Sequence, residues 1–267
     1  MIKKLIVANW KCNPTDSNSA ENIFNSVAKK IKKNQNTEVI ICPPFVYLSK
    51  LKAKNKTKKT VYFGAQDCFW EERGAFTGEI SPLMLKNLGC NYVILGHSER
   101  RKYMKETDEI ILKKIKKSLK VGLRPIFCIG ERKNEKEEGI TFDVLRGQLK
   151  NVIGELPKNK LLNITVAYEP VWSIGTGDSC PPNEAMSVLM FIKKELLKMF
   201  PKNIVDRVAI LYGGSVNDKN AKDYIDGGFD GLLIGGVSLR ANEFVKIVKY
   251  FSEIDGKDQK KKSCKKM

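Results

Sequence analysis

The chain has 267 residues, 42% of them hydrophobic, so it is long enough to bury a sizeable core in one large domain. Its net charge of +18 comes mostly from lysines that are scattered through helical segments without interleaved aromatic residues, a pattern typical of solvated faces, so nucleic-acid binding is not expected. No apolar segment has the length of a membrane span or the form of a signal peptide, and we therefore predict a cytoplasmic protein without membrane contact.

Eight short β-rich segments recur along the chain and predict eight strands. Each is continuously apolar rather than alternating, which is typical of a strand buried on both faces of a parallel sheet. Parallel pairing is therefore expected. The segments are 4–9, 37–42, 60–65, 91–95, 123–128, 163–168, 207–212 and 230–235.

Segments with helical periodicity lie between the strands, the clearest at 19–33, 106–120, 183–200 and 242–251. Eight strand–helix units of about 30 residues each, without a domain-sized linker, fit a closed (βα)8 barrel or an open doubly wound sheet. The number of units favours the barrel. We predict an α/β fold with one (βα)8 barrel domain over residues 1–254. The lysine-rich segment 255–267 is predicted to be a disordered tail.

The cysteine and histidine content argues against a metal site. Seven cysteines show no C-x-x-C spacing, and His97 is the single histidine. An odd number of cysteines, several inside apolar runs, indicates reduced, buried thiols rather than a disulfide framework. We expect neither a metal ion nor a cofactor.

Polar and glycine-rich segments follow the predicted strand ends. Residues 9–11 follow the first strand, 96–101 the fourth and 169–177 the sixth, while glycine pairs at 213–214 and 235–236 follow the last two. The segments that follow the strands of a barrel converge on its C-terminal rim, where such enzymes build their sites. The sequence therefore predicts one site on this rim.

Three side chains on the predicted rim could carry chemistry. Burial at a strand end would make Glu169 a stronger base, although pairing with a lysine or arginine explains it equally well. His97 could be a structural hydrogen-bonding group, or a neutral imidazole at a helix start that donates to a substrate. Lys11 could be a surface charge, a group that stabilises an oxyanion, or an amine that forms a Schiff base.

The segments NWKCN, GAFTGEIS, GHSERR, CIGE, AYEPVWSIGTG, YGGSV and LIGGVSL resemble the triosephosphate isomerases, from about residue 4 to 252. The resemblance implies that D-glyceraldehyde 3-phosphate and dihydroxyacetone phosphate are interconverted through an enediol(ate), in glycolysis and gluconeogenesis. A glutamate base beside a neutral histidine is well known in that family. The resemblance implies catalytic Glu169, His97 and Lys11, with substrate bound by Asn9, Lys11, Gly175, Ser215, Gly235 and Gly236.

The resemblance also implies two functional loops. Residues 170–177, here called the lid, would close over the substrate and be held by Tyr212 and Ser215. The loop 66–80 carries several aromatic residues. Led by Thr77, it would insert beside the site of a second copy in a homodimer.

Three positions depart from the family pattern: Ser173 and Val237 stand where alanine is usual, and Lys136 where arginine is expected. None of them removes a catalytic group, but the first two could alter the lid or the fit of the phosphate. Cys12, next to Lys11, is hypothesised to be a thiol at the dimer interface. A Schiff-base aldolase and a basic nucleic-acid-binding barrel are the alternatives from other functional classes.

Overall fold

The computed structural model describes residues 3–31, 37–55 and 61–251. Its eight parallel strands each pair with their sequence neighbours, and the first strand also pairs with the last. The closed barrel confirms the (βα)8 prediction and excludes the open sheet. The strands are β1 (Lys4–Asn9), β2 (Thr37–Cys42), β3 (Tyr62–Ala65), β4 (Tyr92–Leu95), β5 (Arg124–Ile129), β6 (Thr165–Tyr168), β7 (Ile210–Tyr212) and β8 (Gly231–Ile234).

The last six strands begin one to three residues later than predicted. The largest difference is in β7, which begins at Ile210, paired with Val166, rather than at residue 207. Periodicity detects an apolar run, but the strand begins only where a neighbouring strand lies alongside it. The predicted position 60 lies outside the described residues.

Helices cover the outside of the barrel. In the ranges that the structure describes, none is both long and apolar enough to cross a bilayer. The helices are α1 (Ser17–Lys30), α2 (Phe45–Lys54), α3 (Pro82–Asn87), α4 (Ser98–Tyr103), α5 (Asp108–Lys120), α6 (Lys133–Glu137), α7 (Thr141–Val152), α8 (Pro182–Met199), α9 (Lys202–Val205), α10 (Ala221–Asp226) and α11 (residues 241–251), with 3-10 turns at Lys158–Asn163, Val171–Ser173 and Gly236–Leu239.

Capping side chains explain where two predicted helices begin. Asp16 accepts a hydrogen bond from the Ser19 N–H at 2.9 Å, so α1 begins two residues before the prediction. The Thr107 hydroxyl accepts from the Ile110 N–H, so α5 begins two residues after it. The predicted end of α1 at residue 33 and the predicted tail 255–267 lie outside the described residues.

Alternation along the strands divides the buried side chains into two clusters. Leu5 and Val7 of β1 belong to the cluster inside the barrel, whereas Ile6 and Ala8 belong to the layer between strands and helices. The same alternation recurs around the barrel, because successive side chains of a strand point to opposite faces. Both faces are therefore apolar, which explains the continuous apolar runs of the sequence.

A buried cluster of charges joins the segments that follow β3 and β4. The Lys114 ammonium lies 2.8 Å from both carboxylate oxygens of Asp67 and 2.5 Å from Glu106 Oε1. Arg100 pairs with the same two carboxylates at 2.9 and 2.6 Å. Lys114 is only 3% exposed, so the expectation that the lysines form solvated faces is wrong for this residue. Its position on the buried face of α5, beside Ile111 and Ile115, is the reason.

Asp67 should give this cluster a characteristic pH dependence. Burial raises the pKa of Asp67 from 3.8 to about 6. A carboxyl group that binds its proton more tightly in the folded state stabilises the fold at low pH, and this contribution is lost as the pH rises through the folded pKa. Relative to Asp67→Asn, the wild type should therefore lose about 2 to 3 kcal/mol of unfolding free energy between about pH 4 and pH 7.

Urea unfolding of both proteins at several pH values across this interval would measure the difference. The comparison with Asp67→Asn removes the contribution of the other titrating groups, which the two proteins share. If the difference in unfolding free energy between the two proteins stays constant, or if the wild type becomes relatively more stable as the pH rises, the raised pKa of Asp67 is contradicted.

Candidate active site

A cleft of about 210 Å³ opens on the C-terminal rim of the barrel. Its lining comes from the ends of five strands and from the lid. The structure brings all eight predicted site residues together here, although their individual roles stay predictions. They are Asn9, Lys11, His97, Glu169, Gly175, Ser215, Gly235 and Gly236.

Strand alternation explains why Asn9 and Glu169 face this cleft. Val7 of β1 and Ala167 of β6 belong to the inner cluster, and each of the two polar residues lies two positions further along. They therefore continue the inward face at the top of the barrel. Asn9 is 5% exposed and Glu169 2%.

Glu169 is held on the His97 side of the cleft. Its Oε2 accepts a hydrogen bond from the Ser98 N–H at 3.0 Å. Its Oε1 lies 3.1 Å from His97 Nε2. The carboxylate is thus held by the Ser98 N–H through one oxygen and lies beside the His97 ring with the other.

Gly130 makes room for the backbone of Glu169. A Cβ at position 130 would overlap the Glu169 carbonyl oxygen and lie 2.7 Å from its carbonyl carbon. The Gln148 amide group holds Gly130 from the other side, accepting from its N–H at 2.9 Å and donating to its carbonyl at 3.2 Å. The glycine after β5 therefore serves close backbone packing beneath the candidate base.

The hydrogen bonds of His97 indicate a neutral imidazole. His97 caps α4, and its Nδ1 accepts from the Glu99 N–H at 3.3 Å. A ring nitrogen that accepts a hydrogen bond carries no proton, so the ring proton is on Nε2. Nε2 faces Glu169, which places the donor of the ring at the candidate base.

The Lys11 ammonium forms an ion pair at the edge of the cleft. Its Nζ lies 2.6 Å from Glu99 Oε1. The other carboxylate oxygen of Glu99 is 3.6 Å from His97 Nδ1, too far for a hydrogen bond. Glu99 therefore engages Lys11 through its side chain and His97 through its backbone.

The backbone of Lys11 is in the left-handed region, with a φ of 54°. This conformation is strained for a residue other than glycine and needs support from its surroundings. Asn9 Oδ1 accepts from the Lys11 N–H at 3.1 Å, and the Gln66 amide donates to the Lys11 carbonyl at 2.8 Å. The two side chains hold the turn that brings the ammonium to the cleft.

Turns with few side-chain atoms form another part of the cleft wall. Residues 213–215 follow β7, and residues 235–236 follow β8 and lead into the 3-10 turn Gly236–Leu239. Loops after the last two strands, together with the start of a short helix, are a frequent phosphate site of (βα)8 barrels because backbone N–H groups can point at the anion. This wall suits a phosphate group.

The lid is held at its start by Trp172. The indole N–H donates to Glu131 Oε1 at 2.7 Å, and the Tyr168 hydroxyl donates to the same oxygen at 3.2 Å. The Lys136 ammonium lies 3.4 Å from the centroid of the Trp172 ring, a cation–π contact. Lysine thus contacts the lid at the position where the family pattern led us to expect arginine.

Two further contacts connect the lid, and a residue three positions beyond it, to the end of β7 and the turn that follows β7. The Cys180 N–H donates to the Tyr212 hydroxyl at 3.2 Å. The Ser215 N–H donates to the Ser173 hydroxyl at 3.2 Å. The two residues expected to hold the lid therefore both contact this region.

Sequence reasoning missed the partners that orient the site. Glu131 binds the lid tryptophan, and burial raises the pKa of its carboxyl group. Gln66 supports the turn at Lys11. Both residues follow strand ends, and this position was the one feature of the sequence that could have indicated a role at the rim. Their partners, however, lie 41 and 55 residues away in the sequence. Nothing in the local pattern identified them.

The aromatic residues of the loop 66–80 pack mainly against one another. Phe69 is buried, and its ring centroid lies 4.0 Å from that of Trp70 and 4.7 Å from that of Phe76. The exposed part of the loop is its tip, residues 73–79. The aromatic residues therefore have partners within the loop itself. Their presence in the sequence is not, on its own, a reason to expect a second subunit.

Comparison with known proteins gives a consistent family. A family profile described as triosephosphate isomerase matches residues 4–251. The triosephosphate isomerase of Aquifex aeolicus is 45% identical over 251 residues, which is 94% of this chain and 100% of the relative. Those of Dictyoglomus thermophilum and Alkaliphilus oremlandii are each 43% identical, over 93% and 94% of this chain and 100% of each relative.

Proposed function

The chain belongs to the triosephosphate isomerase family, and from that membership we propose how its own residues carry out the reaction. The protein is an aldose–ketose isomerase that interconverts D-glyceraldehyde 3-phosphate and dihydroxyacetone phosphate in glycolysis. The observation that carries our assignment of roles is the shared cleft. A buried carboxylate, a neutral imidazole, an ammonium group and two glycine-rich turns all line it.

Glu169 is the base in this proposal. It removes a proton from the carbon next to the substrate carbonyl and returns it to the neighbouring carbon, so that an enediol(ate) lies between substrate and product. Its burial excludes the water that would otherwise stabilise the carboxylate, which favours proton transfer. Leaving the Ser98 N–H would let the carboxylate reach a substrate in the cleft.

His97 and Lys11 stabilise the charge that develops on the substrate oxygens. The Nε2–H of His97 lies beside Glu169 and would donate to those oxygens when the carboxylate moves. The Lys11 ammonium supplies positive charge at the same rim, and donors held in place before the reaction are the most effective. Asn9 contributes by holding the Lys11 turn.

The phosphate binds to backbone N–H groups in this proposal. Gly175 of the lid, Ser215 after β7, and Gly235 and Gly236 after β8 all line the cleft. A substrate bound in this way has its phosphate at the strand 7 and 8 turns and its carbonyl between His97 and Glu169. Closure of the lid would then exclude water from the reacting carbons.

The ion pair of Lys11 weighs against the Schiff-base alternative. An amine must be free and neutral to attack a carbonyl, whereas the Lys11 ammonium lies 2.6 Å from a carboxylate oxygen. Borohydride added with substrate would trap an aldolase covalently through this lysine. It should leave the present protein unlabelled.

A coupled assay that follows interconversion of the two triose phosphates tests the proposal. Turnover should be readily detected with the folded protein and should need no added metal or cofactor. Absence of turnover in a protein that unfolds cooperatively would contradict the proposed roles.

The functional unit in this proposal is a homodimer. Its interface is formed by the segments that follow strands β2, β3 and β4. Most of the exposed large apolar side chains among the described residues lie there, and such a concentration is typical of a protein interface. The loop 66–80 contributes its tip. The side chains are Val46, Phe76, Leu83, Met84, Leu88, Tyr103 and Met104.

Thr77→Asp tests this interface. Thr77 is exposed at the loop tip, and a charge placed there would be buried without a partner in the dimer. The dimer Kd should rise by about 10²-fold or more, measured by sedimentation velocity over a concentration series. Met190→Asp is the control, because Met190 is 71% exposed on α8, away from this side. A wild-type protein that sediments as a monomer throughout would contradict the proposal.

We also propose that the barrel is one domain extending to residue 254, and that the protein acts in the cytoplasm, where its substrates are produced. The described part of the barrel contains five buried free cysteines and the exposed Cys12, and reduced thiols are typical of that compartment.

A further inference from the structure

The Ser173 hydroxyl holds a backbone amide that the proposed function assigns to the substrate. Ser173 is fully buried in the lid, and its Oγ accepts from the Ser215 N–H at 3.2 Å. Ser215 lines the cleft on the side of the glycine-rich turns. A backbone amide has a single hydrogen to donate. The hydroxyl and a phosphate oxygen therefore compete for it.

The surroundings of Ser173 are shaped to accommodate this hydroxyl. A Cβ at Gly214 would lie 2.7 Å from Ser173 Oγ and would overlap the Tyr212 hydroxyl. Gly214 thus leaves the space that the Ser173 hydroxyl needs beside the Ser215 amide.

Ser173 is connected to the part of the lid that faces the cleft. Its carbonyl accepts from the Thr176 hydroxyl at 3.1 Å, and its N–H donates to the Pro170 carbonyl at 2.8 Å. Gly175, which lies within the turn closed by the Ser173–Thr176 contact, lines the cleft. A change at Ser173 is therefore transmitted to the lid residue expected to contact the phosphate.

We propose that Ser173 is a positioning residue whose hydroxyl competes with the phosphate for the Ser215 amide, so that phosphate binding breaks this contact before the lid closes over the substrate. This inference rests on the proposed phosphate-binding role of Ser215. Alanine, which is usual at this position in the family, has no oxygen to form this bond. The serine therefore lowers the affinity for phosphate esters, because the bond it makes must be broken on binding.

Ser173→Ala tests the proposal with the full-length protein. Without the competing hydroxyl, the KM of both triose phosphates and the Kd of glycerol 3-phosphate should fall by about two- to tenfold, the equilibrium effect of one hydrogen bond. Glycerol 3-phosphate is a suitable probe because it carries the phosphate but no carbonyl and cannot isomerise. The change in kcat should be smaller than the change in KM.

Two further variants complete the experiment. Ser187→Ala removes a hydroxyl that donates to the Asn183 carbonyl on the exposed face of α8, and it should leave both constants unchanged. Ser173→Cys retains the size of the side chain but accepts a hydrogen bond more weakly, so its constants should lie between those of the wild type and Ser173→Ala. If the alanine variant folds poorly, Ser173→Cys can be used in its place to test the inference.

Hydrogen exchange gives an independent measurement. The Ser215 amide should exchange faster in ligand-free Ser173→Ala than in the ligand-free wild type, and glycerol 3-phosphate should protect it in both proteins. If the wild type turns over substrate but Ser173→Ala binds glycerol 3-phosphate equally or more weakly, this inference is wrong and the proposed function stands. If the wild type neither turns over substrate nor binds glycerol 3-phosphate, the proposed function itself fails.

Discussion

Glu169→Gln is expected to lower kcat/KM by about 10²- to 10⁴-fold, the usual contribution of a positioned general base. The glutamine oxygen can still accept from the Ser98 N–H, so the substitution removes the basic group with little change of shape. The coupled assay in both directions measures the loss. Incorporation of solvent deuterium into the substrate, which requires removal of the carbon-bound proton, should fall in parallel.

Glu169→Asp keeps the carboxylate but moves it, so this variant tests whether the position of the base matters in addition to its presence. The shorter side chain withdraws the base by about 1 Å, and a misplacement of that size costs on the order of 10²-fold in rate. Affinity for glycerol 3-phosphate should change little in both variants, because the proposed phosphate contacts are backbone N–H groups of the lid and of the turns after β7 and β8, which neither substitution alters. Near-normal turnover in either variant would show that another group removes the proton.

Lys114→Met is expected to lower the free energy of unfolding by about 3 to 5 kcal/mol, the cost of removing one partner from a buried group of charges. Methionine fills a similar volume but leaves Asp67 and Glu106 with Arg100 as their remaining cation within this cluster. Urea unfolding at neutral pH measures the loss, provided that the m value is unchanged.

Lys113→Met provides the matched control on the same helix. Lys113 pairs with Glu109 at 2.7 Å, but its side chain is 53% exposed, so its loss should change stability by no more than about 0.5 kcal/mol. Equal effects of the two substitutions would mean that burial of the Lys114 cluster contributes nothing to stability. Acidification through the pKa of Asp67 should recover part of the loss in Lys114→Met, because a neutral Asp67 no longer needs a cation.

The barrel and the positions of its polar residues were accessible from the sequence because both depend on local patterns. A strand buried on both faces leaves a continuous apolar run, and a residue at its end must face the rim of a closed barrel. Asn9 and Glu169 are the clearest examples, since each follows such a run and lies in the cleft. The identity of the chemistry came from resemblance rather than from these patterns.

Contacts between distant segments could not be predicted. The Ser173 hydroxyl meets the Ser215 amide across 42 residues, and Lys114 meets Asp67 across 47. Whether a serine in a lid is solvated or holds an amide depends on the geometry of the partner segment, which periodicity does not encode. For the same reason, a lysine on a lysine-rich helix cannot be identified as buried until the neighbouring carboxylates are located.

The alternation that places Glu169 inside the barrel also determines which changes of chain length the enzyme tolerates. Loss of one residue within β6 would exchange its two faces and turn the position of Glu169 toward the surrounding helices. Changes of length in the turns at the opposite, N-terminal end of the barrel leave that alternation intact. Over evolutionary time, insertions and deletions should therefore accumulate in those turns, while the eight strands retain their lengths.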